Sequence, residues 1–237
     1  MSRFNLEDSV AHVVATAPRT SRVFERHGVD FCCGGKISLA QACERRGIET
    51  QRMLDELELA TREAAPEEDM SGVGIPALIE RIVTHHHEFV RRETPRLGAL
   101  MQKVARVHGE NHPDTLPAMA RIWAAVSKAF EQHMAREEEV LFPWFAALDE
   151  GRVTSDMARG LEMPIAVMES EHDEHGAAFA HLRALANGYV VPDDACGSWR
   201  ALWSGLDEFE RDLHRHVHLE NHLLFPLARA RAGLQPA

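Results

Sequence analysis

Two eleven-residue stretches of this chain, HMAREEEVLFP at 133–143 and HVHLENHLLFP at 216–226, align without a gap. The alignment sets His133 over His216, Glu137 over Glu220, and Leu-Phe-Pro over Leu-Phe-Pro. Upstream, IVTHHH at 82–87 and VMESEH at 167–172 align more weakly at nearly the same offset, setting His87 over His172. One helix pair used twice explains both matches, each copy giving corresponding polar residues to a shared interior. From Ile75 onward, helix-compatible runs cover 76–107, 115–148, 155–187 and 198–225. The breaks between them, HGENHPD, DEGRVTS and NGYVVPDDACGS, carry Gly, Pro and Asn/Asp turn chemistry. Four long helices joined by short turns predict an antiparallel four-helix bundle, and since nothing alternates as a strand would, the fold class is all-α.

Residues 1–65 predict a small helical domain ahead of the bundle. Val10, Val13 and Val14 fit one helical face, Pro18 interrupts, and Val23 and Phe24 continue a second helix that Gly28 ends. The loop VDFCCGGK follows. Ser38 and Thr50 stand where N-caps should be, and Gly47 closes the helix between them. The stretch APEEDMSGVG at 65–74 has no periodicity, so 66–74 is expected to be a linker and 75–237 the bundle.

Composition narrows the function. With 26 Lys plus Arg against 37 Asp plus Glu the net charge is −11, and no basic cluster stands free of acids. Nucleic acid and an anionic membrane surface are therefore disfavoured as partners. With 45% apolar residues the chain can bury a real core. No apolar run reaches the length of a membrane span, and MSRFNLEDSV lacks the pattern of a signal peptide, so a cytoplasmic protein is expected. The four cysteines are too few for a secreted disulfide scaffold and are expected as thiols. The conspicuous number is 15 histidines, 13 of them at or after His85, which points to metal or proton chemistry.

In each strong repeat His and Glu are four apart, so both project from one helix face, a turn apart. A single His-x-x-x-Glu is also an ordinary surface pair worth a few tenths of a kcal/mol. Two aligned instances, each running into apolar Leu-Phe-Pro, favour a buried site. One His from the first and third helices and a His-x-x-x-Glu pair from the second and fourth supply four imidazoles and two carboxylates. These are too many for one tetrahedral zinc but suit two first-row ions, each taking two imidazoles while both carboxylates bridge, with iron or manganese favoured over a thiolate-loving ion. The candidate set is His87, His133, Glu137, His172, His216 and Glu220; among consecutive His85, His86 and His87, spacing leaves 86 or 87 open. A ferritin-like site would need Glu-x-x-His on two helices, and only Glu169-Ser-Glu-His172 fits.

DFCCGGK, HHEFVRRETPRL at 86–97, HMAREEEVLFP, MESEHDEH at 168–175 and HVHLENHLLFP together resemble the hemerythrin-like proteins. Within them the chain is most similar to the iron-sulfur cluster repair di-iron proteins, the repair-of-iron-centres family, over nearly its whole length. The resemblance implies the same six ligands, with His87 as the first-helix histidine, and a cofactor of two iron ions in an oxo-bridged di-iron centre. It also implies repair of clusters damaged by oxidative or nitrosative stress through donated iron, with damaged iron-sulfur proteins as clients. Phe31 stands where the family often has Tyr. Reduction of nitric oxide or oxygen species at the di-iron site, and a redox or nitric oxide sensing module, are the alternatives; whether the chain is an enzyme is left open.

Cys32 and Cys33 are either two small buried residues or exposed thiols that Gly34-Gly35 leave uncovered beside Lys36, partly thiolate and able to relay iron. Cys43 and Cys196 are expected to be structural. Glu171, just before His172, could steer an imidazole or a proton. His85 and His86 are expected to face solvent or to stand behind the ligands. His108 and His112 are expected in a turn or capping role, and His222, well around the helix from His216, is expected outside the ligand set. Trp123, Phe130, Met134, Phe142, Trp144 and Phe225 are expected to pack the bundle. Pro143 and Pro226 are expected to kink or end their helices. The N-terminal domain packs either on its own bundle or on a second copy as a homodimer.

Overall fold

The computed structural model describes residues 3–62, 70, 72–154 and 158–234, and every regular element among them is helical. Most of the expected linker at 66–74 lies outside the described residues. In the N-terminal part, α1 (Val10–Thr16) starts where the Ser9 hydroxyl accepts the His12 N–H. Pro18 begins one turn of 3-10 helix before α2 (Ser21–Arg26), and the chain leaves α2 through Gly28 at φ +63°. α3 (Leu39–Arg46) has a reciprocal cap between Ser38 and Gln41 and ends at Gly47, φ +65°. Thr50, expected as a cap, is instead the first residue of α4 (Thr50–Arg62), because the Met53 N–H already closes the first turn on the Glu49 carbonyl.

Four antiparallel rods follow. The first is α5 (Ile75–Arg81), a π turn (Ile82–His87) and α6 (Glu88–His108). The second is α7 (Leu116–Arg136), a π turn (Glu137–Leu141) and α8 (Phe142–Asp149). α9 (Glu162–Leu185) is the third; the expected start at 155 falls outside the described residues. The fourth is α10 (Gly197–Leu219), a π turn (Glu220–Leu224) and α11 (Phe225–Arg231). Pro143 and Pro226 do not end their helices. A proline lacks the donor for, and crowds, the carbonyl four residues back. Here that carbonyl belongs to Glu139 or His222, inside a turn already widened to five-residue spacing, so the α-helix resumes.

Two apolar layers flank a polar one. Trp123, Phe130, Phe179 and Phe209 meet at ring centroid distances of 5.4–6.2 Å on one side. Ile75, Leu78, Phe145, Leu161, Ile165 and Phe225 pack on the other. Val10, Phe24, Phe31 and Leu39 join the first layer with Val90, Phe209 and Val217, so the N-terminal part packs on its own bundle. α10 is consequently buried on several faces, one against the bundle and another against the N-terminal part.

Candidate metal centre

The three π turns all fall in the polar layer, and each rod gives it one histidine. His87 ends the first π turn, Glu137 and Glu220 begin the others, and His133 and His216 sit one turn before those glutamates. His172 comes from the middle of α9. The six residues are 0–3% exposed and form two groups of four, His87, Glu137, His216 and Glu220, and His133, Glu137, His172 and Glu220. Within them the Nε2 atoms of His87 and His216 are 3.2 Å apart and those of His133 and His172 3.1 Å apart. Glu137 turns Oε2 to His87 Nε2 and Oε1 to His133 Nε2, both at 3.3 Å. Glu220 turns Oε1 to His216 Nε2 at 3.1 Å and Oε2 to His172 Nε2 at 3.0 Å. Each carboxylate thus faces both histidine pairs. His85 is exposed, while His86 is buried, its Nδ1 3.1 Å from Asp212 and its ring stacked on His216 at 5.5 Å.

These atoms fit cations. All four oxygens of Glu137 and Glu220 are buried with no hydrogen bond. Buried anionic oxygens are costly unless paired or coordinated. Donor spacings of 3.0–3.3 Å also match the edge of about 3.0 Å between atoms about 2.1 Å from one ion at right angles. Without an ion, burial disfavours a charged imidazole, but the Glu137 and Glu220 carboxylates outweigh it and push His133 up to about 9. His87 is raised in the same way, whereas burial lowers His216. Against burial and Glu220, the nearby histidines hold the Glu137 carboxyl below the usual range.

The outward Nδ1 atoms are held from behind. His87 Nδ1 is 2.5 Å from Glu138, which accepts two hydrogen bonds of 2.7 Å from Arg91. His133 Nδ1 is 2.8 Å from Glu171, which Arg136 also holds. Burial would raise both carboxyls, but the histidine and arginine contacts keep them low. His172 Nδ1 is 2.8 Å from Asn221. Such partners fix the ring and its tautomer. Glu138 and Asn221 were missed in the sequence, although the repeat sets one over the other, each directly after its glutamate. Phe142 and Phe225, expected as packing, also align; they stack on His87 at 5.8 Å and on His172 at 5.9 Å. His175 was missed too. It is buried against Phe130 and 5.2 Å from the His133 ring, and burial with the neighbouring imidazoles holds it down at about 3, neutral at ordinary pH.

Cys32 and Cys33 do not enter the six-residue layer. Asp30 organises their loop, Oδ1 accepting the N–H groups of Cys32 at 2.9 Å and Cys33 at 3.0 Å, and Oδ2 that of Gly34 at 2.9 Å. The sulfurs are 3.9 Å apart and both thiols are free. The expectation of exposed, partly ionised thiols is corrected for Cys32. It is buried, and the bond to Cys33, burial and Asp30 push it well above the usual thiol range; Cys33 is half-buried. Cys43 is buried, but Cys196, expected to be structural as well, is exposed at the N-cap of α10. There a hydrogen bond with His108 and the α10 N–H groups lower it to about 7. His108 and His112 both lie against Trp199 at 4.9 Å. His222 lies outside the ligand groups, as expected. No helix among the described residues is long and apolar enough to cross a membrane.

Residues 77–228 match the hemerythrin HHE cation binding domain, and residues 6–61 match a domain of unknown function, DUF542. The iron-sulfur cluster repair protein YtfE of Yersinia pestis (strain Pestoides F) is 36% identical over 220 residues, 93% of this chain and 96% of that protein. YtfE of Pectobacterium atrosepticum is 34% identical over 222 residues, 94% of this chain and 96% of that protein. By these matches the chain belongs to the hemerythrin-like cation-binding proteins, in the group that includes the iron-sulfur cluster repair proteins YtfE.

Proposed function

We propose that this chain holds two iron ions and repairs iron-sulfur clusters damaged by oxidative or nitrosative stress, by giving up iron through the Cys32–Cys33 loop. The observation that carries the reading is the pair of buried carboxylates, each turning one oxygen to each histidine pair. His87 and His216 would hold one ion, His133 and His172 the other, and Glu137 and Glu220 would be shared. Bound iron supplies a ferric/ferrous couple whose ferrous form nitrogen and oxygen donors hold more loosely. The names of the relatives support the repair role.

In this reading residues 1–65 form the domain that presents the thiols, 66–74 the joint and 75–237 the bundle that holds the ions. Glu138, Glu171 and Asn221 keep the imidazoles aimed inward. Asp30 holds the two sulfurs 3.9 Å apart, close to the span of about 3.8 Å for two thiolates on one tetrahedral ion. The test is reactivation of a peroxide-inactivated iron-sulfur enzyme by the iron-loaded chain. Cys32→Ala with Cys33→Ala should keep both irons and lose reactivation; unchanged reactivation would defeat the relay.

A second reading, reduction of nitric oxide, is favoured by the donor count. Each group offers four donors, which leaves positions open on an iron ion. Turnover of nitric oxide beyond stoichiometry with a reductant would select it; its absence alongside reactivation would select repair.

A further inference from the structure

The sequence repeat gives the position after each shared glutamate one task on the inner side, holding the Nδ1 of a histidine. On the outer side the two copies diverge. Glu138 is tied to Arg91, whereas Asn221, 8% exposed, donates its Nδ2 hydrogen to the carbonyl of Cys32 at 3.3 Å. Two neighbours on the same outer face, His218 and His222, seat the same loop. His218 Nδ1 bonds the Phe31 carbonyl at 3.1 Å, and His222 lies beside the Cys32 backbone. The loop lies so close that a Cβ at Gly35 would come within 2.9 Å of His222 Nε2 and 2.5 Å of the Phe31 carbonyl. A single amide therefore bridges a metal-site histidine and the backbone of the thiol loop.

We infer that Asn221 is a positioning residue that couples occupancy of the metal centre to the cover over Cys32 and Cys33; this rests on the two-iron reading above. The coupling follows from hydrogen-bond polarity. When His172 Nε2 serves as a ligand, its ring hydrogen sits on Nδ1 and is given to Asn221 Oδ1, 2.8 Å away. That turns the Asn221 Nδ2 hydrogens to the Cys32 carbonyl and holds the loop down. With no ion on Nε2 the ring hydrogen is free to sit there, where Glu220 Oε2 is 3.0 Å away, and Nδ1 is then an acceptor. Asn221 then turns its amide over to donate to Nδ1, its oxygen opposes the Cys32 carbonyl, and the loop loosens. The thiols are covered while iron is held and uncovered as it leaves.

The test is the rate at which a thiol reagent modifies Cys32 and Cys33 in the full chain, loaded anaerobically with Fe²⁺ or stripped with chelator, with iron content measured on the same samples. Stripping should speed modification about tenfold, the factor expected for one lost hydrogen bond. Buried Cys43 should stay slow, which excludes general loosening. Asn221→Asp keeps an acceptor for His172 but loses the donor to Cys32. On samples whose iron content shows them loaded, it should modify at the fast rate. Equal rates in loaded and stripped wild type, or a wild-type contrast in iron-loaded Asn221→Asp, would overturn the coupling. Absence of bound iron in wild type would overturn the two-iron reading, and the iron content reports that separately. Should Asn221→Asp fail to fold or to load, hydrogen exchange of residues 31–36 in loaded and stripped wild type decides by the same contrast.

Discussion

Replacing Glu220 by Gln should lower stability in both the stripped and the loaded protein, and more in the loaded one. Glu220 is 0% exposed; burial would raise its carboxyl, but His216 and His172, 3.1 and 3.0 Å from its two oxygens, hold it well below the usual carboxylate range. A carboxylate held low in the fold adds stability at pH 7 that its neutral replacement lacks. Gln keeps the shape and leaves no cavity but removes the charge that the histidines face, which in stripped protein should cost about 1–2 kcal/mol, the scale of one lost bond to a charged group. For a chain of this size that is a Tm lower by about 2–8 °C. In loaded protein the same change removes a donor common to both groups. If each ion binds tenfold to a hundredfold more weakly, about 1.4–2.8 kcal/mol per ion is lost, and Tm falls by about 3–11 °C per ion. Thermal unfolding followed by circular dichroism, with and without chelator, reads both. An equal fall in the two states would mean that Glu220 gives nothing to the ions, and its reading as a donor shared by both would be wrong.

Loading the stripped protein at pH 7 should release at least one proton per chain, measured with an indicator dye, because His133 with its pKa near 9 is charged in the empty site and must be neutral as a ligand. The raised value stabilises the stripped fold below the ordinary imidazole range, that gain fades as pH rises through about 9, and apparent affinity for the ion grows over the same interval. Iodoacetamide near pH 7.5 should label Cys196 first and Cys32 and Cys43 slowly, as peptide mapping would show; His108→Ala should move the Cys196 midpoint up from about 7. Phe225→Ala, at a fully buried ring stacked on His172, should cost about 3–5 kcal/mol by chemical denaturation. A loss below about 1 kcal/mol would mean the site collapses around the gap.

The bundle and the six-residue layer were legible because a repeat leaves its mark at every corresponding position. His133, Glu137, His216 and Glu220 needed only helical geometry and the assumption that aligned residues share a task. The widened turns were not legible, since a spacing of four reads the same entering a π turn as an α turn; Pro143 and Pro226, each shortly after one, were the available sign. The contacts of His218 and Asn221 with Phe31 and Cys32 join positions far apart in the chain, which local periodicity does not register. For the same reason Cys32 read as exposed: Gly34 and Gly35 suggest an open loop, but α10 and its π turn pack against it. Cys196 read as structural because nothing local reveals that His108 lies beside it.

The most direct measurement is the number of iron ions per chain in protein purified without added metal or chelator, by elemental analysis with an optical spectrum in air. Two irons with the charge-transfer band of a bridged ferric pair are predicted, falling together in Glu137→Ala. One ion per chain, or two whose binding survives that substitution, would contradict a centre in which the carboxylates serve both histidine pairs.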